Sequence, residues 1–214
     1  MKKKDAGQTG LNEFLKRALF YNLFLRMIGG EKARQWIAAN FWNLKGGEKV
    51  VDIGCGLGDA RNYLPENISY CGVDVSESYI RSAQKRFSDR GTFILGDALN
   101  EKTYQDERFS MADIVLCNGL LHHLSDDDAL KILEVSKNIL RPGGRLICVE
   151  ATYLIRQTKL SRWIVSLDRG EYVRFEDDWK ILIRKVFPTG RTHIVTGLIR
   201  IPYTHMIIEC VKAI

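Results

Sequence analysis

The glycine-rich stretch between Lys49 and Asp59 constrains the fold of this chain more than any other part of it. It reads Lys-Val-Val-Asp-Ile-Gly-Cys-Gly-Leu-Gly-Asp, an apolar run with β-branched residues that ends in alternating glycines. Such a run predicts a buried strand, and the glycines predict a tight turn after it. Because glycine has no side chain, a ligand can approach the backbone of this turn closely. The stretch therefore predicts a strand, a ligand-binding turn and a helix that begins near Asp59.

The spacing of Gly54, Gly56 and Gly58 distinguishes between two classes of ligand. A dinucleotide-binding turn has the pattern Gly-x-Gly-x-x-Gly and places a pyrophosphate at the N-terminus of the next helix. In this chain Asp59 stands where the third glycine of that pattern would be, and Asp52 adds a second carboxylate. Two carboxylates disfavour a diphosphate and favour a ligand with cationic groups. A nicotinamide-dependent dehydrogenase is therefore the weaker interpretation.

The stretch consists of an acid, Asp52, then one residue, then Gly-x-Gly-x-Gly. This order resembles the first motif of the class I S-adenosylmethionine-dependent methyltransferases. Together with the motifs below, the resemblance covers about residues 46 to 152, and it points to the small-molecule branch of that family. It implies an α/β, Rossmann-like, doubly wound sheet of seven strands, mostly parallel, with an antiparallel C-terminal strand and helices on both faces. It also implies S-adenosylmethionine as the cofactor and S-adenosylhomocysteine as the product.

Acidic and amide side chains follow successive predicted strands, where ligands of parallel α/β sheets bind. Asp74 ends the second strand, and its carboxylate can accept hydrogen bonds from both hydroxyls of a ribose. The alternative for Asp74 is a helix cap. In the family, the positions of Asp97 and Ala98 contact adenine and that of Asn118 contacts the methionine end. The predicted cofactor-binding residues are Asp52, Gly54, Cys55, Gly56, Gly58, Asp74, Val75, Asp97, Ala98 and Asn118.

A pair of histidines follows the fourth predicted strand. Methyl transfer from a sulfonium needs mainly alignment and exclusion of water, and an oxygen or carbon acceptor also benefits from a base. Histidine suits that role because its pKa lies near neutrality. His123 is the first candidate for this base and His122 the second, while packing or capping of the next helix is the alternative. The aspartates at 126–128 lie after Ser125 and are interpreted as helix capping, so we predict no metal site.

The composition is that of an ordinary globular protein. The 214 residues are 45% hydrophobic and 27% charged, and no apolar run approaches the ~18 residues of a membrane span. We predict a single methyltransferase domain over 1–214. It comprises an N-terminal helical cover (1–45), a cofactor-binding core (46–152), an acceptor-side insertion (153–190) and a C-terminal β-hairpin (191–214).

The five cysteines indicate the compartment. Their number is odd and they form no Cys-x-x-Cys pair, so neither a disulfide framework nor a zinc site is predicted. They are expected to be small core residues. The N-terminus begins Met-Lys-Lys-Lys and lacks the continuous apolar region of a secretory signal. We therefore expect a cytoplasmic protein.

The net charge of +6 is concentrated in the two flanks of an acidic centre. This asymmetry favours an anionic or amphipathic small-molecule acceptor, and ordinary solvated surface explains it equally well. The basic helix predicted over 11–28 packs on the domain or contacts a membrane surface. An RNA methyltransferase is a second interpretation, although Asn118-Gly119-Leu120-Leu121 lacks the Pro-Pro-aromatic sequence that holds a flipped base. A non-catalytic S-adenosylmethionine-binding regulator is a third. The sequence makes no prediction about oligomeric state.

Overall fold

The computed structural model describes residues 28–168 and 170–214. Seven strands form one continuous sheet in the order β3-β2-β1-β4-β5-β8-β7. A two-residue strand, β6, pairs with β5 away from that path. The strands are β1 (Lys49–Ile53), β2 (Ser69–Asp74), β3 (Thr92–Leu95), β4 (Ala112–Asn118), β5 (Leu140–Tyr153), β6 (Arg174–Phe175), β7 (Arg191–Thr196) and β8 (Thr204–Val211).

The sheet confirms the predicted fold class. Strands β1 to β5 run parallel to one another, and β8 runs antiparallel to both β5 and β7. Because β1 lies between β2 and β4, the chain reverses its direction of winding after β3. In parallel sheets this reversal opens a crevice at the carboxyl ends of the strands, where ligands bind. The predicted site residues all lie at or after those ends.

Within residues 28–168 and 170–214, five α-helices cover the two faces of the sheet. They are α1 (Gly30–Ile37), α2 (Glu77–Arg86), α3 (Asp126–Ile139), α4 (Lys159–Ser166) and α5 (Glu176–Arg184). Alternate residues of the central strands enter opposite cores, as the two-residue period of a strand requires. Val51 and Val115 join one core with Leu133 of α3, whereas Val50 and Ile114 join the other. All five cysteines are buried and unpaired, which confirms them as core residues.

The sequence predicts helices over 31–42 and 179–187 and strands over 145–151 and 192–201. The boundaries in the structure differ from these. The helix predicted at 179–187 begins at Glu176, because three acidic residues stabilise its first turn. The strand predicted over 192–201 ends at Thr196, since Gly197 has a φ of 73°. The helix predicted over 31–42 changes from α-helix to π-helix at Ala38, and Asn43, with a φ of 46°, ends it.

Two further boundaries lie beside the site. The fifth strand, predicted at 145–151, extends from Leu140 to Tyr153, with a register shift where it pairs with the start of β4. The turn after the glycines forms a 3₁₀-helix at Asp59–Tyr63. The helix predicted over 11–28 lies, apart from Ile28, outside the described residues. Within the described ranges, no helix combines the length and apolarity needed to cross a bilayer.

Candidate active site

The glycine turn is held against the end of β2 by its own backbone. The amides of Gly54 and Cys55 both donate to the carbonyl of Val73, at 2.8 and 3.0 Å. Gly56 has a φ of 54°, and a Cβ placed there would meet no atom within 4 Å. Gly58, in contrast, packs against Phe93, and a Cβ placed there would come within 2.6 Å of the ring. The turn therefore exposes bare backbone at Gly56 and is anchored on either side of it.

Asp74 connects the glycine turn to the start of α2. Its Oδ2 accepts a hydrogen bond from the amide of Gly56 at 2.9 Å, and its Oδ1 accepts one from the amide of Ser76 at 2.8 Å. The helix cap is made by the Ser76 hydroxyl, which accepts from the amide of Tyr79. Each carboxylate oxygen has more than one acceptor site. Asp74 is thus oriented by the backbone and can still accept further hydrogen bonds.

Asp52 lies beneath the turn and not on its surface. Its side chain is buried, and Tyr70 donates a hydrogen bond to its Oδ2 at 2.7 Å. Burial raises the pKa of Asp52 to about 7, and the charge of Asp74 adds to this effect against the hydrogen bond from Tyr70. A cation above the turn would favour the ionised form of this carboxyl group. This electrostatic role is consistent with the predicted preference for a cationic ligand.

An open apolar surface lies beside Asp74, at the ends of β2 and β3. Val75 is 73% exposed and Leu95 is 51% exposed. Asp97 is exposed, and the amide of Leu99 donates to its Oδ1 at 2.9 Å. Exposed aliphatic side chains next to an acceptor group suit a flat heterocycle that carries an amine. No sequence pattern pointed to Leu95, because the last residue of a strand can be either exposed or buried.

Asn118 ends β4 with an unsatisfied polar atom. Its Oδ1 is buried and has no hydrogen-bond partner among the residues that the structure describes. Such an atom normally carries a free-energy cost unless a ligand or water pairs with it. Asn118 lies next to β1, at the same edge of the sheet as the glycine turn. An ammonium group placed at this edge would supply the missing donor.

His122 is enclosed between two carboxylates. Its Nδ1 lies 2.5 Å from Oε2 of Glu150, and its Nε2 lies 3.0 Å from Oδ1 of Asp168. Glu150, buried at the end of β5, also accepts hydrogen bonds from the amides of residues 120–122. Asp168 accepts a second hydrogen bond from the hydroxyl of Tyr203, at 2.6 Å. The network joins the loop after β4 to the insertion and to the connection between β7 and β8.

The charge of His122 follows from these contacts. Burial alone would lower its pKa, but the hydrogen bonds and charges of Asp168 and Glu150 raise the pKa of His122 to about 10. The same contact holds the pKa of Asp168 well below its ordinary range, against the effect of burial. His122 is therefore an imidazolium at neutral pH, and both of its nitrogens are engaged. A group in this state cannot accept a proton from an acceptor.

His123 differs from its neighbour because its side chain is exposed. The two imidazole rings lie against each other, with centroids 4.3 Å apart. Ligand atoms of His122, His123 and Asp168 lie within 4.8 Å of one another. A metal ion there would have to displace the pairing of His122 with Asp168. The absence of a metal site stays a prediction.

The pairing of His122 with Asp168 predicts a pH-dependent stability. The pKa of His122 is raised from 6.5 to about 10 in the folded chain, so its contribution is complete below about pH 6.5 and is lost as the pH rises through 10. The pKa of Asp168 is lowered, so its own contribution is complete above about pH 4. We expect Asp168→Asn to reduce the free energy of unfolding by about 1.5 kcal/mol at pH 6 and by much less at pH 10.

Urea unfolding of both proteins at the two pH values measures this difference. Glu134→Gln, at an exposed acid in the middle of α3, serves as the control and should change the stability little at either pH. An equal loss for Asp168→Asn at pH 6 and pH 10 would assign the effect to lost packing and not to the ion pair.

The glycine turn, Asp74 and Asn118 lie within a segment that matches a known family. Residues 51–146 match the family model described as a methyltransferase domain. This segment, just under half of the chain, is therefore a methyltransferase domain of the class I S-adenosylmethionine-dependent type. The match covers the methyltransferase sheet from β1 into β5 and includes α2 and α3 between them.

Two curated relatives match the part of the chain that contains this segment. It is 33% identical over 110 residues to 27-O-demethylrifamycin SV methyltransferase of Amycolatopsis mediterranei, a match over 48% of this chain and 38% of that protein. It is 26% identical over 128 residues to ubiquinone biosynthesis O-methyltransferase of Idiomarina loihiensis, over 59% of this chain and 50% of that protein. The methyltransferase chain thus matches at most half the length of these relatives.

Solved structures show the same methyltransferase fold. Phosphoethanolamine N-methyltransferase 2 of Haemonchus contortus, determined with phosphomonomethylethanolamine and S-adenosylhomocysteine, superposes with a TM-score of 0.67 at 18% identity. The superposition covers 87% of this chain and 54% of that one. At this level of identity the likeness concerns the fold.

Two features of the structure fit the binding of S-adenosylmethionine at this edge of the sheet. Open space above Gly56 and the unsatisfied oxygen of Asn118 are features that a bound ligand would explain. Sequence reasoning missed the roles of Glu150, Asp168 and Tyr203. An acid at the end of an apolar strand was the available signal for Glu150, whereas no pattern linked Asp168 or Tyr203 to the histidines.

Proposed function

We propose that this protein transfers a methyl group from S-adenosylmethionine to a small-molecule acceptor, anionic or amphipathic, whose attacking atom loses a proton. The observation that carries this proposal is the position of Asp74. Its carboxylate accepts a hydrogen bond from the amide of Gly56 in the glycine turn, and it lies at the same edge of the sheet as Asn118. The cofactor supplies an activated methyl group on a sulfonium, and the protein supplies binding, alignment and proton removal.

The proposed binding roles follow the geometry from β1 to β4. Asp74 accepts hydrogen bonds from the ribose, and Gly56 allows the nucleoside to approach the backbone. Val75 contacts the face of the adenine, and Asp97 and Ala98 contact its edge. Asn118 accepts a hydrogen bond from the ammonium of the methionine end. Gly54, Cys55 and Gly58 form the rest of the glycine turn. Asp52, buried beneath this turn, contributes negative charge.

For the base we propose His123 and not His122. His123 is exposed at the same loop that Glu150 holds in place through its amides. His122, paired with Glu150 on one side and Asp168 on the other, orients that loop. In this arrangement His123 removes the proton of a hydroxyl as the acceptor attacks. One of the relatives named above is described as an O-methyltransferase, which is consistent with an oxygen acceptor.

The test is product formation. Purified protein is incubated with S-adenosylmethionine and panels of phenols, hydroxylated lipids and small carboxylic acids, and S-adenosylhomocysteine is quantified by mass spectrometry. We expect turnover with at least one panel and not with RNA. Turnover with RNA alone would support a nucleic acid methyltransferase. Binding of S-adenosylhomocysteine without turnover on either class would support a regulatory protein.

We also propose a cytoplasmic location. All five cysteines, each within the described ranges, are unpaired. This is typical of proteins kept in a reducing compartment. Fractionation of cells with an antibody against the protein tests the location directly.

A further inference from the structure

Helix α4 exposes large apolar side chains on the side that faces away from the protein. Its buried residues are Ser161 and Val165. Leu160 and Trp163, in contrast, are 55% and 58% exposed. A surface helix of a globular protein normally buries its apolar stripe and exposes the polar one. The outward stripe of α4 therefore indicates a second surface that contacts this helix.

The exposed stripe extends beyond the helix and is accompanied by cations. We define the α4 patch by six exposed side chains: Ile155, Arg156, Lys159, Leu160, Trp163 and Leu167. Residues 160, 163 and 167 have the spacing of one helical face. Ile155 is 83% exposed and Leu167 is 61% exposed. Large apolar side chains next to lysine and arginine are typical of helices that lie at a membrane interface.

Charge identifies the kind of surface that the patch contacts. Residues 154–167 contain three basic side chains and no acidic one. The segment 1–27 is also basic, with six basic side chains against two acidic ones, so it is repelled by the patch. A stable protein interface needs about 800 Å² from each partner, more than the four apolar side chains of the patch provide. An anionic lipid surface meets both conditions, since it attracts cations and accepts apolar side chains without a shaped partner.

The patch is attached to the active-site edge of the sheet. Gln157, just before α4, donates to the hydroxyl of Thr204 at 2.9 Å, and Ser161 Oγ lies 3.2 Å from the same hydroxyl. Thr204 begins β8, which lies antiparallel beside the carboxyl end of β5. These contacts hold the helix at the edge where Glu150 supports the histidine loop. A surface that binds the patch therefore faces the side of the molecule that carries the site.

We propose that the α4 patch docks this protein on an anionic lipid bilayer. The apolar side chains enter the boundary between headgroups and acyl chains, and Arg156 and Lys159 pair with anionic headgroups. The proposal goes beyond the methyl-transfer function and requires no turnover, so either can fail without the other.

Vesicle flotation with the full-length protein tests the proposal. Vesicles of phosphatidylcholine alone are compared with vesicles of phosphatidylcholine and phosphatidylglycerol, at low and high salt. We expect binding to the anionic vesicles that weakens with salt. The double variant Leu160→Ser with Trp163→Ser is expected to bind at least about tenfold more weakly. Arg156→Ala with Lys159→Ala is expected to lower binding about 25-fold, at about fivefold for each cation.

Matched controls are available elsewhere on the surface. Ile181→Ser removes an apolar side chain that is 61% exposed on α5, and Lys85→Ala removes an exposed cation from α2. Both should bind vesicles like the wild type. Unchanged affinity for S-adenosylhomocysteine verifies the fold of each variant. Absence of vesicle binding, or binding that survives the patch variants, would overturn the proposal. So would a dimer in solution that Trp163→Ser dissociates, because the patch would then be an interface between two copies.

Discussion

Asp74→Ala is expected to weaken the binding of S-adenosylhomocysteine at least about a hundredfold. Hydrogen bonds to a charged group contribute about 1.5 to 3 kcal/mol each, and the variant loses two proposed bonds to the ribose. It also loses the contact at 2.9 Å that holds the amide of Gly56. Isothermal titration calorimetry with S-adenosylhomocysteine measures the change directly.

Two further variants show whether the loss belongs to this carboxylate. Asp74→Asn keeps an acceptor oxygen near Gly56 and should weaken binding by about tenfold, the effect of one charge-assisted hydrogen bond. Glu134→Ala removes an exposed acid of α3 and should leave the affinity unchanged. Thermal melting verifies that each variant is folded. Wild-type affinity in Asp74→Ala would refute the ribose assignment.

His123→Ala is expected to lower kcat by a factor of about 10² to 10⁴, the range for loss of a general base. The affinity for S-adenosylhomocysteine should stay unchanged, because no cofactor contact is removed. The rise of kcat with pH between about 5 and 8 that a histidine base produces should disappear as well. Steady-state rates over this pH range, with an acceptor found in the panel screen, measure both effects.

The matched control is His193→Ala, which removes a partly exposed histidine of β7, away from the site. Its rate and pH profile should equal those of the wild type. A His123→Ala protein with the wild-type rate at every pH would exclude this residue as the base. Loss of activity together with loss of cofactor affinity would instead indicate a structural role for the loop.

Local patterns predicted that the glycine turn, Asp74 and Asn118 lie at one edge of the sheet. The alternation of glycines at 54, 56 and 58 and the acid that ends β2 are local features, since a strand and the turn after it determine where their side chains lie. Asp74 and Asn118 accordingly lie at the same edge of the sheet, as their positions in the motifs predicted. The N-cap at Ser125 was predictable for the same reason.

Contacts between distant segments were not predictable in this way. His122 and His123 are adjacent in sequence, and nothing local distinguishes the buried ring from the exposed one. The distinction comes from Glu150 and Asp168, which lie 28 and 46 residues away along the chain. The exposed apolar face of α4 was also not predictable, because apolar residues follow the same helical period whether they face the core or the solvent.

A crystal structure of the protein with S-adenosylhomocysteine tests the central claim most directly. We expect both ribose hydroxyls within hydrogen-bonding distance of the Asp74 carboxylate, the nucleoside above Gly56, and the ammonium group at Oδ1 of Asn118. A nucleoside bound away from Asp74, or crystals in which the compound binds nowhere at this edge of the sheet, would contradict it.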